Sequence, residues 1–121
     1  MQIAQKNFYK KFLGRKGEVE AAKYLIKQGY VILEKNFKTH VGEIDIIASE
    51  NETICFVEVK TRSSDSFGAP SEAVNEKKQL KYYNVAEEYL LKKGKMDSLC
   101  RFDVVEIEDG KINLIKDAFS R

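Results

Sequence analysis

Two apolar runs, Gly42-Glu43-Ile44-Asp45-Ile46-Ile47-Ala48 and Thr53-Ile54-Cys55-Phe56-Val57-Glu58-Val59-Lys60, are separated only by the polar break Ser49-Glu50-Asn51-Glu52. Side chains of an extended chain alternate between faces, so Glu43 and Asp45 share one side of the first run, and Glu58, Lys60 and Arg62 share one side of the second. The opposite sides, Ile44, Ile46 and Ala48 with Cys55, Val57 and Val59, read as core. The break is short enough for a hairpin, although it lacks the favoured Asn-Gly or Asp-Gly pair.

Pairing the runs restricts the register. If Glu50 and Thr53 close a two-residue loop, Asp45 falls opposite Glu58; if Ser49 and Glu52 close it, Glu43 faces Glu58 and Asp45 sits one diagonal away. Both registers keep the carboxylates on one face, within about 4.5 to 8 Å. A slip by one residue would bury a carboxylate among Ile and Val, at a cost that excludes it. Like charges set side by side destabilise a ladder, so something positive must offset them. A divalent cation together with Lys60 would do so, which is the chemistry of metal-dependent phosphodiester hydrolysis.

The 121 residues are expected to form one domain, long enough to bury a core without disulfides. With 43% hydrophobic and 33% charged residues the chain reads as globular and not disordered. No apolar stretch approaches the roughly 18 residues that span a bilayer, and the start, Met1-Gln2-Ile3-Ala4-Gln5-Lys6, lacks the apolar segment of a signal peptide. A cytoplasmic protein with no membrane partner is expected. Cys55 and Cys100 read as buried free thiols of a reducing compartment. One histidine, His40, and no Cys/His cluster argue against zinc; oxygen ligands would favour Mg2+ or Mn2+.

Net charge is only +2, but basic residues are grouped: Lys6, Lys10, Lys11, Arg15 and Lys16, then Lys77, Lys78 and Lys81, then Lys92, Lys93 and Lys95. Such groups are ordinarily solvated helix faces. Beside an acidic metal site they gain weight, because a polyanionic substrate needs compensating charge.

Helices are expected from near Asn7 or Gly14 to Gln28, ended by Gly29, and from about Asn75 to Lys92. Strands are expected at about Tyr30 to Asn36, Glu43 to Ser49, Thr53 to Lys60, Arg101 to Ile107 and Lys111 to Ile115, the last two joined by the hairpin signal Asp109-Gly110. Thr61 to Pro70 reads as a polar loop. The fold class is therefore mixed α/β, a central mixed sheet of about five strands with helices packed on it. Val19, Ala22, Leu25 and Ile26 form the apolar stripe of the first helix, with Glu18 at its border. In the second, Gln79, Tyr83, Ala86 and Leu90 form an inward stripe. A rim glutamate and a core-edge amide are the ordinary readings of Glu18 and Gln79; both residues alternatively point at the carboxylates.

Gly14-Arg15-Lys16-Gly17-Glu18, Gly42-Glu43-Ile44-Asp45, Phe56-Val57-Glu58-Val59-Lys60-Thr61-Arg62, Phe67-Gly68, Glu72-Ala73-Val74 and Arg101-Phe102-Asp103-Val104 together resemble the YraN family of bacterial proteins, over about Gly14 to Val104. That family is predicted to be endonuclease-like, related to Holliday junction resolvases and to the restriction-endonuclease fold. The resemblance implies that Asp45, Glu58 and Lys60 take the acid, acid and lysine positions of a PD-(D/E)XK signature, with Ile44 where proline precedes the aspartate. Gly14 and Glu18 resemble the Gly-x-x-x-Glu of RecB-type nucleases, and Gln79 and Tyr83 their Gln-x-x-x-Tyr.

What this implies is a Mg2+- or Mn2+-dependent nuclease. Asp45, Glu58, Glu18 and the carbonyl of Val59 would hold the cation, Lys60 would stabilise developing charge, and Glu43 would be an outer ligand or the partner of Lys60. Arg62, Lys77, Lys78, Gln79 and Tyr83 would position backbone phosphates, with the Thr61 to Pro70 loop as a clamp. DNA is expected over RNA, branched or flapped DNA over plain duplex, and a homodimer would supply two incisions. Two other readings compete: an inactive nucleic-acid-binding module of the same fold serving a partner enzyme, and a structural protein that binds a cation for stability.

Overall fold

The computed structural model describes the backbone of residues 2–62 and 75–120, with side chains from Gly14 onward. Its elements run α1 (Gln2–Lys27), β1 (Val31–Lys38), β2 (Glu43–Glu50), β3 (Thr53–Arg62), α2 (Glu76–Lys93), β4 (Leu99–Glu108) and β5 (Lys111–Phe119). The five strands form one sheet in sequence order, antiparallel except for the parallel pair β3–β4, which α2 connects. A mixed sheet flanked by two helices is the expected class, and it is consistent with a restriction-endonuclease-like fold. No helix among the described residues is long and apolar enough to cross a membrane.

Local chemistry explains the joints. Both helices end in a left-handed glycine, Gly29 (φ 97°) and Gly94 (φ 66°). After each, the next N–H returns to a carbonyl five residues back: Tyr30 to Leu25 at 2.9 Å, Lys95 to Leu90 at 2.8 Å. Asn75 caps α2, its side chain accepting from the N–H of Lys78 at 2.9 Å. Glu50 pairs with Thr53, the first of the two registers, and Asn51 and Glu52 both adopt positive φ in a tight turn without glycine. Asp109-Gly110 forms the other hairpin, closed by Glu108 and Lys111.

Two cores sandwich the sheet. Under α2 lie Phe37, Ile44, Ile47, Ile54, Phe56 and Val104; under α1 lie Tyr30, Ile46, Ala48, Cys55, Val57, Val105 and Ile107. The alternation expected for Ile44, Ile46 and Ala48 breaks: Ile44 packs on the α2 side and the other two on the α1 side. The break falls where Asn36 of β1 adopts left-handed backbone (φ 53°), between the pairs Lys35–Ile46 and Phe37–Ile44. Both strands turn over at that step, so Ile44 follows Phe37 to the α2 side.

Each helix keeps part of its expected stripe, Ala22 and Leu25 in α1 and Ala86 and Leu90 in α2 being buried. Along the described side chains of α1 the buried residues are Gly17, Ala21, Ala22 and Leu25, while Val19 and Ile26 are exposed at 46% and 57%. Small residues are chosen because the helix lies close to the sheet: a Cβ on Gly17 would overlap the Thr61 side chain of β3. Along α2 the buried residues are Tyr82, Val85, Ala86, Tyr89 and Leu90, while Gln79 and Tyr83, where the expected stripe began, are half-buried. Cys55 is buried as expected; Cys100 is exposed, near the start of β4.

Around the start of β4, Asp103 is fully buried and saturated. It accepts from Tyr30 Oη at 2.8 Å, Arg101 Nε at 2.9 Å and the Asp117 N–H at 2.9 Å. Arg101 continues to Glu50 at 2.9 Å, and Lys116 meets both Glu50 oxygens at 2.9 Å. This network ties β2, β4, β5 and the entry to β1 together at the end of the sheet away from Glu43 and Lys60.

Candidate metal centre

At the other end, β2 begins with Glu43 and Asp45 as β3 finishes with Glu58 and Lys60. The regular β2–β3 ladder stops at Ile46–Val57. Just beyond it, the Val59 N–H donates to Asp45 Oδ2 at 2.9 Å, so a side chain replaces the missing main-chain partner. The seat of Gly17 against Thr61 sets the neighbouring Glu18 above this point. Glu18, Glu43 and Asp45 thus bring one carboxylate oxygen each to within 4.8 Å of one another, all three residues half-buried.

The charges are mutually unfavourable, and the protonation behaviour records it. Burial, then the Glu58 charge, push the Asp45 carboxyl up to about 7, with Glu18 and Glu43 adding to the rise and the Val59 N–H opposing it. Glu18 is raised as well, chiefly by burial and then by Glu43, against a hydrogen bond from Asn36. Lys60 is lowered, burial first and then Lys78, with Glu58 and Glu106 pulling the other way. Glu106 is its neighbour in the parallel ladder.

Asn36 is the polar bridge of the cluster. With its amide nitrogen turned to the carboxylates, the assignment that matches donor to acceptor, it donates to Glu43 Oε1 at 3.2 Å and to the two Glu18 oxygens at 3.3 and 3.2 Å. Glu43 also pairs with the exposed Lys38 at 3.6 Å, a contact worth little in water. Glu58 faces α2: Tyr82 Oη donates to its Oε2, and Lys78 Nζ lies 3.8 Å from its Oε1.

Of the residues expected here, Asp45, Glu18, Glu58 and Glu43 converge as neighbours, with Asp45 common to all. Glu43 stands in the tight triad, whereas Glu58 flanks it. Val59 reaches Asp45 through its N–H, although its carbonyl was the expected ligand. Lys77 and Lys78 are exposed in the first turn of α2, Gln79 is half-buried beside them, and Arg62 ends β3 half-buried. Tyr83, expected to position phosphates, has its ring edge-on to Phe102 at 5.0 Å and packed on Phe119 at 5.9 Å, while its neighbour Tyr82 donates to Glu58. Tyr82 was missed because the Gln-x-x-x-Tyr spacing marks its neighbour, and adjacent residues differ by about 100° around a helix. Asn36 gave a weak signal only, being a residue type that tolerates left-handed backbone. Beyond Thr61 and Arg62, which belong to β3, the expected clamp loop lies outside the described residues.

A family model described as "Uncharacterised protein family UPF0102" matches residues 17–107. The chain is 58% identical over 116 residues to a "UPF0102 protein" of Caldicellulosiruptor bescii, covering 90% of this chain and 98% of that one. It is 48% identical over 119 residues to a "UPF0102 protein" of Clostridium tetani, covering 93% and 98%. A third, from Alkaliphilus oremlandii, is 51% identical over 115 residues, covering 90% and 98%.

Proposed function

The chain belongs to the uncharacterised protein family UPF0102, the YraN family that its motifs resemble, and for it we propose a metal-dependent endonuclease that hydrolyses phosphodiester bonds of DNA. One observation carries this reading: Asp45 is half-buried among Glu18, Glu43 and Glu58, and its carboxyl is pushed up to about 7. Acidic groups held together against their repulsion fit a hard divalent cation, and all-oxygen donors favour Mg2+ or Mn2+. Glu18, Glu43 and Asp45 would hold it, with Glu58 beside them. Such an ion supplies Lewis acidity toward a phosphate and acidifies a bound water.

The chain's own groups do the rest. The Val59 N–H fixes one oxygen of Asp45, leaving the other for the cation. Lys60, two residues along β3 from Glu58 and therefore on the same side, donates toward negative charge that develops on phosphate. Exposed Lys77, Lys78 and Lys81, on the first turns of α2 near Glu58, hold the flanking phosphates. Preference for DNA, and for branched or flapped DNA, rests on the family resemblance.

The test is a cleavage panel of linear, nicked, flapped and four-way DNA, and RNA, with Mg2+ and with Mn2+, against Lys60→Ala. Cleavage by the parent protein and its loss in the variant are expected. Salt-sensitive DNA binding with no turnover in either metal would replace the nuclease with a binding module serving a partner enzyme.

A further inference from the structure

Glu58 is held from the helix side. Tyr82 is only 7% exposed, and its ring stacks on Phe119 at 6.0 Å. Ile44, Phe56, Phe102 and Phe119 line a gap of about 10 Å³ beneath the pair, no larger than a single water. A phenol in such surroundings costs free energy unless its hydroxyl is bonded, and the hydroxyl donates to Glu58 Oε2. One helical turn earlier, Lys78 approaches the other oxygen at 3.8 Å, but its side chain is 53% exposed. The buried, rigid contact is the one that sets where the carboxylate points.

We propose that Tyr82 is a positioning residue for the metal site: through its bond to Oε2 it fixes the Glu58 carboxylate so that the remaining lone pairs are presented beside Asp45. This rests on the reading of Glu58 as part of a cation site. A carboxylate held in one rotamer by a neighbouring donor loses less freedom when a cation arrives, and losing such an outer partner ordinarily weakens metal binding about 10- to 100-fold. Tyr82 would not touch the ion or the substrate. Its effect would pass entirely through Glu58.

Manganese titration calorimetry on the full chain tests this, with Tyr82→Phe, Glu58→Gln, the double variant and Tyr89→Phe, each also melted without metal. Tyr89 is buried on the same helix face, against Phe37 and Phe56. The expected result is manganese affinity at least about tenfold weaker in Tyr82→Phe, unchanged in Tyr89→Phe, and no weaker in the double variant than in Glu58→Gln alone. Unchanged affinity in Tyr82→Phe, or a loss that adds fully to that of Glu58→Gln, would overturn the proposal while leaving the cation site standing. No manganese binding by the parent protein would overturn both.

Discussion

The Val59 N–H and the Asp45 carboxylate meet at 2.9 Å at the point where the β2–β3 ladder gives out. A hydrogen bond to a carboxylate favours the charged form. Here burial and three neighbouring carboxylates outweigh it, so Asp45 is pushed up to about 7. The bond fixes the position of the group without relieving its charge.

This has a consequence for stability against pH. An aspartate of the unfolded chain titrates near 3.9, so between about pH 4 and about 7 the fold keeps a proton that the unfolded chain has lost. The contribution of the group is therefore full below about pH 4 and declines as pH rises through about 7. Asp45→Asn should leave the metal-free stability almost unchanged at about pH 4 and raise it at about pH 8 by up to about 4 kcal/mol, seen as a higher melting temperature. Thermal melts of both proteins at the two pH values check this; an equal difference at both would contradict the assignment.

Glu43 discriminates between a tight triad and an outer position. Because its oxygen lies within 4.8 Å of ligand oxygens from Glu18 and Asp45, Glu43→Gln should weaken manganese binding by at least about tenfold, as Glu18→Gln should. Affinity that survives Glu43→Gln but not Glu18→Gln would return Glu43 to the outer position expected from the sequence.

Gly17→Ala should disturb the site from a distance. The new methyl overlaps the Thr61 side chain, lifting α1 from β3 and moving Glu18; overpacking of this kind costs about 1–3 kcal/mol. The nearest atom is Thr61 Oγ1, with Thr61 Cβ at an ordinary 3.5 Å. Thr61→Ala in the Gly17→Ala background should therefore restore both melting temperature and manganese affinity. A double variant no better than Gly17→Ala would refute the overlap as the cause.

The strands were legible because a register slip would have buried an acid, and that exclusion needs only alternation. The helix faces were less so. Burial of Gly17, Ala21 and Ala22 in preference to Val19 and Ile26 reflects closeness of approach, which hydrophobicity alone does not encode. Tyr82 and Tyr83 are chemically identical and adjacent, and only the docking angle of α2 decides which one meets Glu58. The reversal at Asn36, which carries Ile44 to the other core, is a single left-handed residue inside a strand. Nothing in the pattern of apolar residues marks it.

Lys77→Ala with Lys78→Ala should weaken DNA binding and flatten the dependence of log affinity on log salt by about 0.9 for each phosphate that the protein no longer neutralises. Fluorescence anisotropy over a salt series measures the slope. An unchanged slope would leave these lysines as solvated residues of the helix.

Asp103→Ala should be among the most damaging substitutions, because it removes the buried acceptor shared by the Tyr30 hydroxyl, Arg101 and the Asp117 N–H, leaving Arg101 with Glu50 and the Tyr30 hydroxyl. Breaking a buried pair by removing one partner costs about 3–5 kcal/mol. Urea denaturation should show a much lower midpoint, and a loss below about 1 kcal/mol would mean the network is dispensable.

Among the described strands, β3–β4 is the parallel pairing, and it joins a meander of β1, β2 and β3 to the hairpin of β4 and β5. Hairpins close over short loops, whereas a crossover pairing must bring distant segments together and comes later in folding. Glu18, Glu43, Asp45 and the Thr61 that seats α1 all fall within the first 62 residues. On a ribosome, the chain would hold all three carboxylates of the triad before β4, which completes the core under α1, had been synthesised. A cation present at that moment would act on the nascent meander, before Tyr82 and Lys78 had closed over Glu58.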